Sequence, residues 1–374
     1  MKKLFFIAAI AGAALVSCTK NELAPSATEQ HEITFAAPVV GVQTKANYSG
    51  GIGLNDKNGD REAYPTNETF NVWAVYNTNT ITAWGGKEYF SNITAEFDTN
   101  AQGWGLTPRY FWPANGMLSF VALSPSIAAT ESNGVTSPNY TAKNGFYIKS
   151  WSQSASEEGI IDLMYSNESR NNARGHYNLE TGEENGSTVN DITKEDGNSP
   201  YKGVDLTFNH ALSYLVFNIC TKEDYSESTK FMLTKIELDG IYTTGEFTQN
   251  EEDPWIEDTE GTEGKYVAYA GSNEVVFSKT VTKVPETKNK EIILLPQALS
   301  EDQQTITVEY SISTDGGKTW IPQTQTANLT NIAVDAWEMG KKYTYTITIG
   351  MTEILFDPAV AVWTPATNGG QITL

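Results

Sequence analysis

The chain has 374 residues, and its 46 Asp and Glu outnumber its 25 Lys and Arg, so the formal net charge at pH 7 is −21. An acidic surface of this kind repels nucleic acid and anionic lipid headgroups, and neither is expected as a partner. The length is enough for two domains of ordinary size, and two cysteines are too few for a disulfide framework.

The start of the chain carries the pattern of a bacterial lipoprotein signal. Two lysines precede an apolar stretch over residues 4–16, which is shorter than the roughly 20 residues that a membrane-spanning helix needs. The stretch leads into Leu15-Val16-Ser17-Cys18, and small residues before a cysteine are typical of a lipoprotein cleavage site. We therefore predict removal of residues 1–17 and lipidation of Cys18. An ordinary secretory signal that happens to contain a cysteine is the alternative.

A tether and a first strand are predicted after the signal. Residues 18–31 are polar and show no periodicity, as expected of a flexible tether. Every second residue from 33 to 39 is then apolar, which predicts a β-strand that ends before a polar stretch containing Lys45. The alternating apolar residues of this strand are Ile33, Phe35, Ala37 and Val39.

Short strand-like runs separated by turn residues fill the rest of a first domain, residues 32–200. Three of these runs lie at 70–76, 117–123 and 160–165. Residues 166–200 consist mostly of Asn, Glu, Gly, Ser and Asp, which predicts a linker or long loop without core residues. We therefore place a domain boundary at residue 200.

A second domain is predicted over residues 201–350. Its first apolar run, 204–219, changes parity around Tyr214 and Leu215, which predicts a bulge in one long strand. No segment has the apolar spacing and caps of a helix. Many short strands with turn residues between them favour an all-β chain of two tandem antiparallel β-sandwiches. Further strands are predicted at 231–238, 274–277, 291–295, 305–312 and 342–349.

An apolar tail follows this second domain. Residues 354–363 alternate again, although Pro358 lacks the N–H that a central strand would need. An extended apolar segment beyond a complete domain needs a partner strand, so we treat residues 351–374 as a separate C-terminal extension.

Signatures of catalysis or metal binding are missing from the sequence. The three histidines, His31, His176 and His210, are scattered, and no zinc-binding or nucleophile motif occurs. His210 has the apolar parity of its strand, which favours a packed, hydrogen-bonded histidine. Residues 55–60 resemble the start of a calcium loop but lack its bidentate Glu. The sequence thus predicts no enzyme, cofactor, metal or small-molecule substrate.

Tryptophans near glycine-rich loops leave a second possibility open. Trp84, Trp104 and Trp151 could stack on sugar rings, as they would in a glycan-binding adhesin. The alternative is that these side chains serve local packing.

Several segments, taken in their order along the chain, resemble the fimbrillin family of type V pilins and related surface lipoproteins, the Mfa-like major fimbrial subunits among them. The resemblance spans nearly the whole chain. Its segments are the lipoprotein signal, residues 32–35, 43–46, 111–120, 162–165, 208–213, 293–297 and 337–345, and the tail.

This resemblance implies two transthyretin-like β-sandwiches, export as an outer-membrane lipoprotein to the cell surface, and trimming by a trypsin-like protease near the first strand. The family cut usually follows Arg, whereas the aligned basic residue here is Lys45, with Arg61 as the fallback site.

The residues support a matching assembly mechanism. Excision of the first strand, with Ile33, Phe35 and Val39, would open an apolar groove with unpaired backbone groups. The tail of another copy, or of a related pilin, could fill the groove head-to-tail and so build an adhesive fimbria. The alternative is a monomeric surface lipoprotein, an anchor or a tip, with both end strands paired within the chain. The proposed donor residues are Ile354, Phe356, Val360 and Val362.

Overall fold

The computed structural model describes residues 31–40, 64, 66–99, 103–127, 136–153, 161–173, 190–191, 203–258, 263–284, 292–300, 303–332, 335–351 and 354–362. Within these ranges the regular structure consists of β-strands and one short 3₁₀ helix, which confirms the predicted all-β class. The same ranges contain no helix with the length and apolar character needed to cross a bilayer.

The strands, in chain order, are β1 (Thr34–Phe35), β2 (Val39–Val40), β3 (Phe70–Asn77), β4 (Lys87–Asp98), β5 (Gly103–Thr107), β6 (Met117–Ser124), β7 (Asn139–Thr141), β8 (Gly145–Ser152), β9 (Met164–Ser166), β10 (Ser169–Ala173), β11 (Asn190–Asp191), β12 (Thr207–His210), β13 (Ser213–Thr221), β14 (Lys230–Tyr242), β15 (Thr244–Thr248), β16 (Trp255–Glu257), β17 (Glu263–Phe277), β18 (Thr282–Lys283), β19 (Ile292–Leu294), β20 (Gln297–Ala298), β21 (Thr305–Ser313), β22 (Ile321–Asn328), β23 (Ala336–Trp337), β24 (Lys341–Ile349) and β25 (Ile354–Val362). The 3₁₀ helix covers Leu329–Ile332.

The first half of the chain folds around one curved sheet. Its strands follow the order β1-β5-β4-β3-β6-β9-β12-β2, with β10 beside β6 and β11 beside β10. The two ends of this path, β1 and β2, are consecutive parts of one segment, so this segment closes the sheet around its core. We call the enclosed cluster the N-terminal core; its largest buried side chains include Phe35, Phe70, Trp104, Phe120 and Phe208.

The linker predicted over residues 166–200 is wrong at its beginning, because β10 is a strand with buried polar side chains. Asn171 and Asn172 are almost fully buried. The amide of Asn171 both donates to the backbone of Ile81 and accepts from it, at 2.9 and 2.8 Å, so it pairs as a backbone group would. A polar side chain can be buried when its hydrogen bonds are made. A prediction based on apolar patterns does not detect such a strand.

A second sheet joins the two halves of the chain. Its order is β16-β15-β8-β7, in which β8 from the first half pairs with β15 from the second. The cluster around it, which we call the junction core, contains Trp73 and Trp151 from the first half and Phe247 and Trp255 from the second. The indole N–H of Trp255 donates to the carbonyl of Ala211 at 2.6 Å. The halves therefore share both hydrogen bonds and apolar contacts.

The apolar run 204–219 does not form one bulged strand. It forms β12 in the first sheet and β13 in a different sheet, and the change of parity at Tyr214 and Leu215 falls inside β13, whose two faces meet different cores. Phe208 lies in the N-terminal core, whereas Leu215 lies in the core of the second half. The boundary predicted at residue 200 therefore does not coincide with the change of core, which falls between these two residues.

The second half is a sandwich of two sheets. One has the order β18-β13-β24-β25, with β19 beside β13, and the other has the order β17-β14-β21-β22. Between them lies the C-terminal core, to which β24 contributes the alternate residues that its sequence predicts. These are Tyr343, Tyr345, Ile347 and Ile349. Strand β24 runs parallel to β13 and antiparallel to β25.

Candidate functional site

The segment of residues 31–40 lies between two strand edges and is hydrogen-bonded to both. On one side, Ile33 N donates to Tyr110 O and Trp112 N donates to His31 O, each at 2.8 Å. On the other side, the partner strand is the stretch 204–208, with which the segment runs parallel. The hydrogen bonds on that side are Ala36 N to Val204 O at 3.0 Å, Val204 N to Thr34 O at 2.8 Å and Val39 N to Leu206 O at 3.1 Å.

The segment contributes Ile33 and Phe35 to the N-terminal core. Ile33 and Phe35 are 0% exposed and Val39 is 8% exposed. The ring of Phe35 meets Phe70 and Phe120 edge-on, with centroids 5.9 and 5.4 Å apart. Removal of the segment would therefore open a groove with aromatic walls and two rows of unpaired backbone groups.

Gly203 allows the segment to pass close to its neighbouring strand. Its φ of +120° lies in the region that glycine tolerates, and a Cβ at this position would collide with backbone atoms of Phe35 and Ala36. No local sequence pattern marks this glycine, because only the three-dimensional approach of two backbones gives it a role.

Tyr64 forms part of the same core beneath the segment. Its ring stacks on Phe208 at 5.8 Å, and its hydroxyl shares a 2.7 Å hydrogen bond with Ser124 Oγ. Burial raises the pKa of Tyr64 well above its usual range, because the phenolate would be desolvated. Tyr64 follows both predicted cleavage positions, so a cut at either leaves it in the mature chain.

The C-terminal strand β25 is paired over nine residues with β24, from Lys341 opposite Val362 to Ile349 opposite Ile354. It is the outer strand of its sheet, the place that Pro358 predicts for it. The ladder places Phe356 opposite Ile347. At its far end, Val360 and Val362 remain 49% and 58% exposed.

In the full-length chain both end strands thus pair intramolecularly, as the monomeric alternative expects. Under strand exchange, the first strand is likewise expected to pair within its own chain until cleavage occurs. The predicted lipidation and cleavage residues Cys18, Lys45 and Arg61, and the calcium-like stretch 55–60, lie outside the described residues.

Two of the three tryptophans considered for sugar stacking are not available for it. Trp104 and Trp151 are 0% exposed, so that interpretation is wrong for both. Trp84 is partly buried against the junction core and meets the ring of Tyr140 at 4.8 Å. Local packing therefore accounts for these side chains.

His210 is packed and hydrogen-bonded, as the sequence predicts. It is buried, and its Nδ1 lies 2.9 Å from Asp162 Oδ1. Among the residues that the structure describes, no group of His, Cys, Asp and Glu has an arrangement that could hold a metal ion.

Comparison with known proteins gives one family and several similar folds. A family model described as fimbrillin-like matches residues 60–180 and 186–363. A fimbrial protein from Bacteroides vulgatus is similar in structure, with a TM-score of 0.57 and 16% identity over 90% of this chain and 100% of that one. A putative cell adhesion protein from Bacteroides uniformis has a TM-score of 0.51 and 16% identity, covering 90% and 99%. No curated protein sequence matches significantly.

Proposed function

Because the chain belongs to the fimbrillin-like family, whose members have fimbrial or adhesive roles at the cell surface, we propose that it is a structural subunit of a fimbria that polymerises by strand exchange. In this proposal the chain is exported as a lipoprotein through Cys18. Cleavage after Lys45, or after Arg61, then releases the segment of residues 31–40, and the tail of another copy replaces it.

The observation that carries the proposal is the position of the excised segment. It is bound on both edges and buried in the N-terminal core, so its loss leaves a vacancy that only another extended apolar strand can fill. Such a groove differs from an ordinary sheet edge because it determines both where the apolar side chains of the entering strand are buried and which backbone groups bond to it.

The C-terminal strand supports the other half of the proposal. It already has an extended conformation, and it lies at the edge of its sheet, where β24 is its one paired strand among the described residues. Val360 and Val362 gain little burial there. Transfer to a groove on a second copy is head-to-tail, so repeated transfer builds a filament instead of a closed dimer.

Assembly by recombinant chains tests the proposal. A chain that starts at Ala46 is expected to form ladders that resist SDS, and the same chain without residues 351–374 is expected to remain monomeric. Ladders that persist after this deletion would exclude the tail as the donor strand.

Lipidation and trimming need a separate measurement in cells. We expect a palmitate analogue to label the wild-type precursor and not Cys18→Ala. Mass spectrometry of the mature N-terminus should find Ala46, or residue 62 if Arg61 is the site; an acylated Cys18 on all surface molecules would contradict cleavage.

A second candidate is a monomeric lipoprotein that serves as anchor or tip. The intramolecular pairing of β25 favours it, because an anchor or tip has no need to donate a strand. An acylated, uncleaved chain at the base or end of fibres would identify this role.

A further inference from the structure

The two end strands carry the same apolar pattern. The first contains Ile33-Thr34-Phe35 and then Val39, and the tail contains Ile354-Leu355-Phe356 and then Val360. Both strands have the pattern Ile-x-Phe-x-x-x-Val. Each of the three tail residues therefore lies the same number of positions after its match in the first strand. In the first strand all three residues are buried, and Ile33 and Phe35 lie in the N-terminal core.

We infer that the tail of one copy enters the groove of the next in a single register, with Ile354 in the position of Ile33, Phe356 in that of Phe35 and Val360 in that of Val39. This inference rests on the proposed strand exchange and specifies its partner surface residue by residue. The tail then runs in the same direction as the segment it replaces.

The backbone hydrogen bonds of the groove agree with this register. The segment donates through the N–H groups of Ile33, Ala36 and Val39. The tail residues at these positions, Ile354, Asp357 and Val360, all retain an N–H. Pro358 falls at position 37 and leaves these three hydrogen bonds in place.

Neighbouring registers of the same parity are worse. A shift of two residues in one direction places Pro358 at position 39, where it loses the hydrogen bond to Leu206 O. The opposite shift places Pro358 where the ring of Phe35 lies, so the space between Phe70 and Phe120 would be underfilled.

Burial gives the transfer its direction. On its own domain Val360 is 49% exposed, although it lies opposite the buried Tyr343. At the position of Val39 the same side chain would be about as buried as Val39 itself, which is 8% exposed. The apolar surface that this removes from water favours the groove over the intramolecular edge.

One position of the match is unfavourable, and it provides a further test of the register. Asp357 takes the place of Ala36, a side chain that is only 5% exposed. A carboxylate is costly at such a position, so Asp357→Ala should make assembly faster. The same change should have a smaller effect in the register that places Asp357 at position 34, because Thr34 is only partly buried.

Cysteine cross-linking tests the register directly in the chain that starts at Ala46. Position 34 lies opposite Gly105, so Leu355→Cys combined with Gly105→Cys should give a disulfide between copies. Gly105 tolerates a side chain, because a Cβ there meets only Glu32 Oε1 at 3.7 Å, and Glu32 is absent from this chain. The matched controls are Glu353→Cys and Asp357→Cys, each with Gly105→Cys, which are one same-face step away on either side.

Boiled, non-reduced samples should show about tenfold more covalent dimer for Leu355→Cys than for either control, since residues one step away lie beyond disulfide reach. Ladders that form while a control pair cross-links best would overturn the register and leave strand exchange standing. No ladder from any variant or from the parent chain would overturn both. The parent, with buried Cys220 alone, sets the background.

Discussion

The two end strands of the chain are held in opposite ways. The N-terminal segment forms ladders of only two residues at β1 and β2, yet its apolar side chains are almost fully buried. The C-terminal strand forms a ladder of nine residues, yet Val360 and Val362 are about half exposed. The first is held by side-chain burial together with hydrogen bonds on both edges, whereas the far end of the second is held mainly by backbone pairing.

This difference bears on which strand can be exchanged. A backbone hydrogen bond contributes about 0.5–1.5 kcal/mol net and can be remade on any suitable edge, so a strand held in this way can transfer without loss. Burial in a shaped core is specific and is lost in full on release. In the proposed strand exchange, the N-terminal segment would therefore need a covalent cut to leave, whereas the tail would need only a better site.

Phe35→Ala should reduce stability more than any other substitution considered, and it tests whether side-chain burial holds the N-terminal segment. In an unlipidated chain of residues 19–374, we expect the free energy of unfolding of the N-terminal half to fall by about 3–5 kcal/mol, because the substitution leaves a cavity between Phe70 and Phe120. Denaturant unfolding monitored by tryptophan fluorescence would measure it. A loss below about 1 kcal/mol would mean that the segment is not held by its side chains.

Gly203→Ala should loosen the same segment from outside the core. Its new methyl group collides with the backbone of Phe35, and φ at this position is +120°, so we expect a loss of about 1–3 kcal/mol. Hydrogen exchange of residues 31–40 should rise while that of β25 stays unchanged. Gly105→Ala is the matched control, since a Cβ there makes only an ordinary contact.

Tyr64→Phe should have a moderate effect that survives cleavage. It removes the hydrogen bond to the buried Ser124, at a cost of about 1–2 kcal/mol. Because burial raises the pKa of Tyr64 in the folded chain, its contribution is complete below pH about 10 and is lost as pH rises further. Alkaline unfolding of Tyr64→Phe should therefore be less steep than that of the wild type, and an unchanged pH profile would contradict this role.

Val360→Ala should have the smallest effect on the unprocessed chain. We expect a change in the free energy of unfolding within about 0.5 kcal/mol, because the side chain is half exposed on its own domain. In ladders of the chain that starts at Ala46, the same substitution should lower the temperature at which SDS dissociates them. If Val360→Ala destabilised the unprocessed chain as much as the ladders, the proposed difference between the two strands would be wrong.

The sequence predicts the parts of this fold that repeat with period two. The alternating residues of β24 could be predicted directly, because one face of this strand meets a core. Strand β10 could not be predicted, because its buried asparagines are satisfied by backbone groups of Ile81 and of Leu118 in β6, which are distant in sequence. Strands β12 and β13 appeared to be one strand, because both are apolar and only two residues separate them.

The candidate site was predictable in its strands and not in its surroundings. Ile33, Phe35 and Val39 could be assigned from the pattern alone. Gly203 and Tyr64 could not, since each matters through a neighbour far away in sequence. The junction sheet could not be predicted either, because no local pattern indicates that β8 pairs with β15.

The junction sheet has a mechanical consequence for a fibre. Subunits linked from the groove of one half to the tail of the other would pass tension through the middle of every subunit. There the load would meet the paired strands β8 and β15 and the indole rings packed around them, not a flexible hinge. Each subunit would then behave as one stiff rod, and bending of the fibre would be concentrated at the joints between copies.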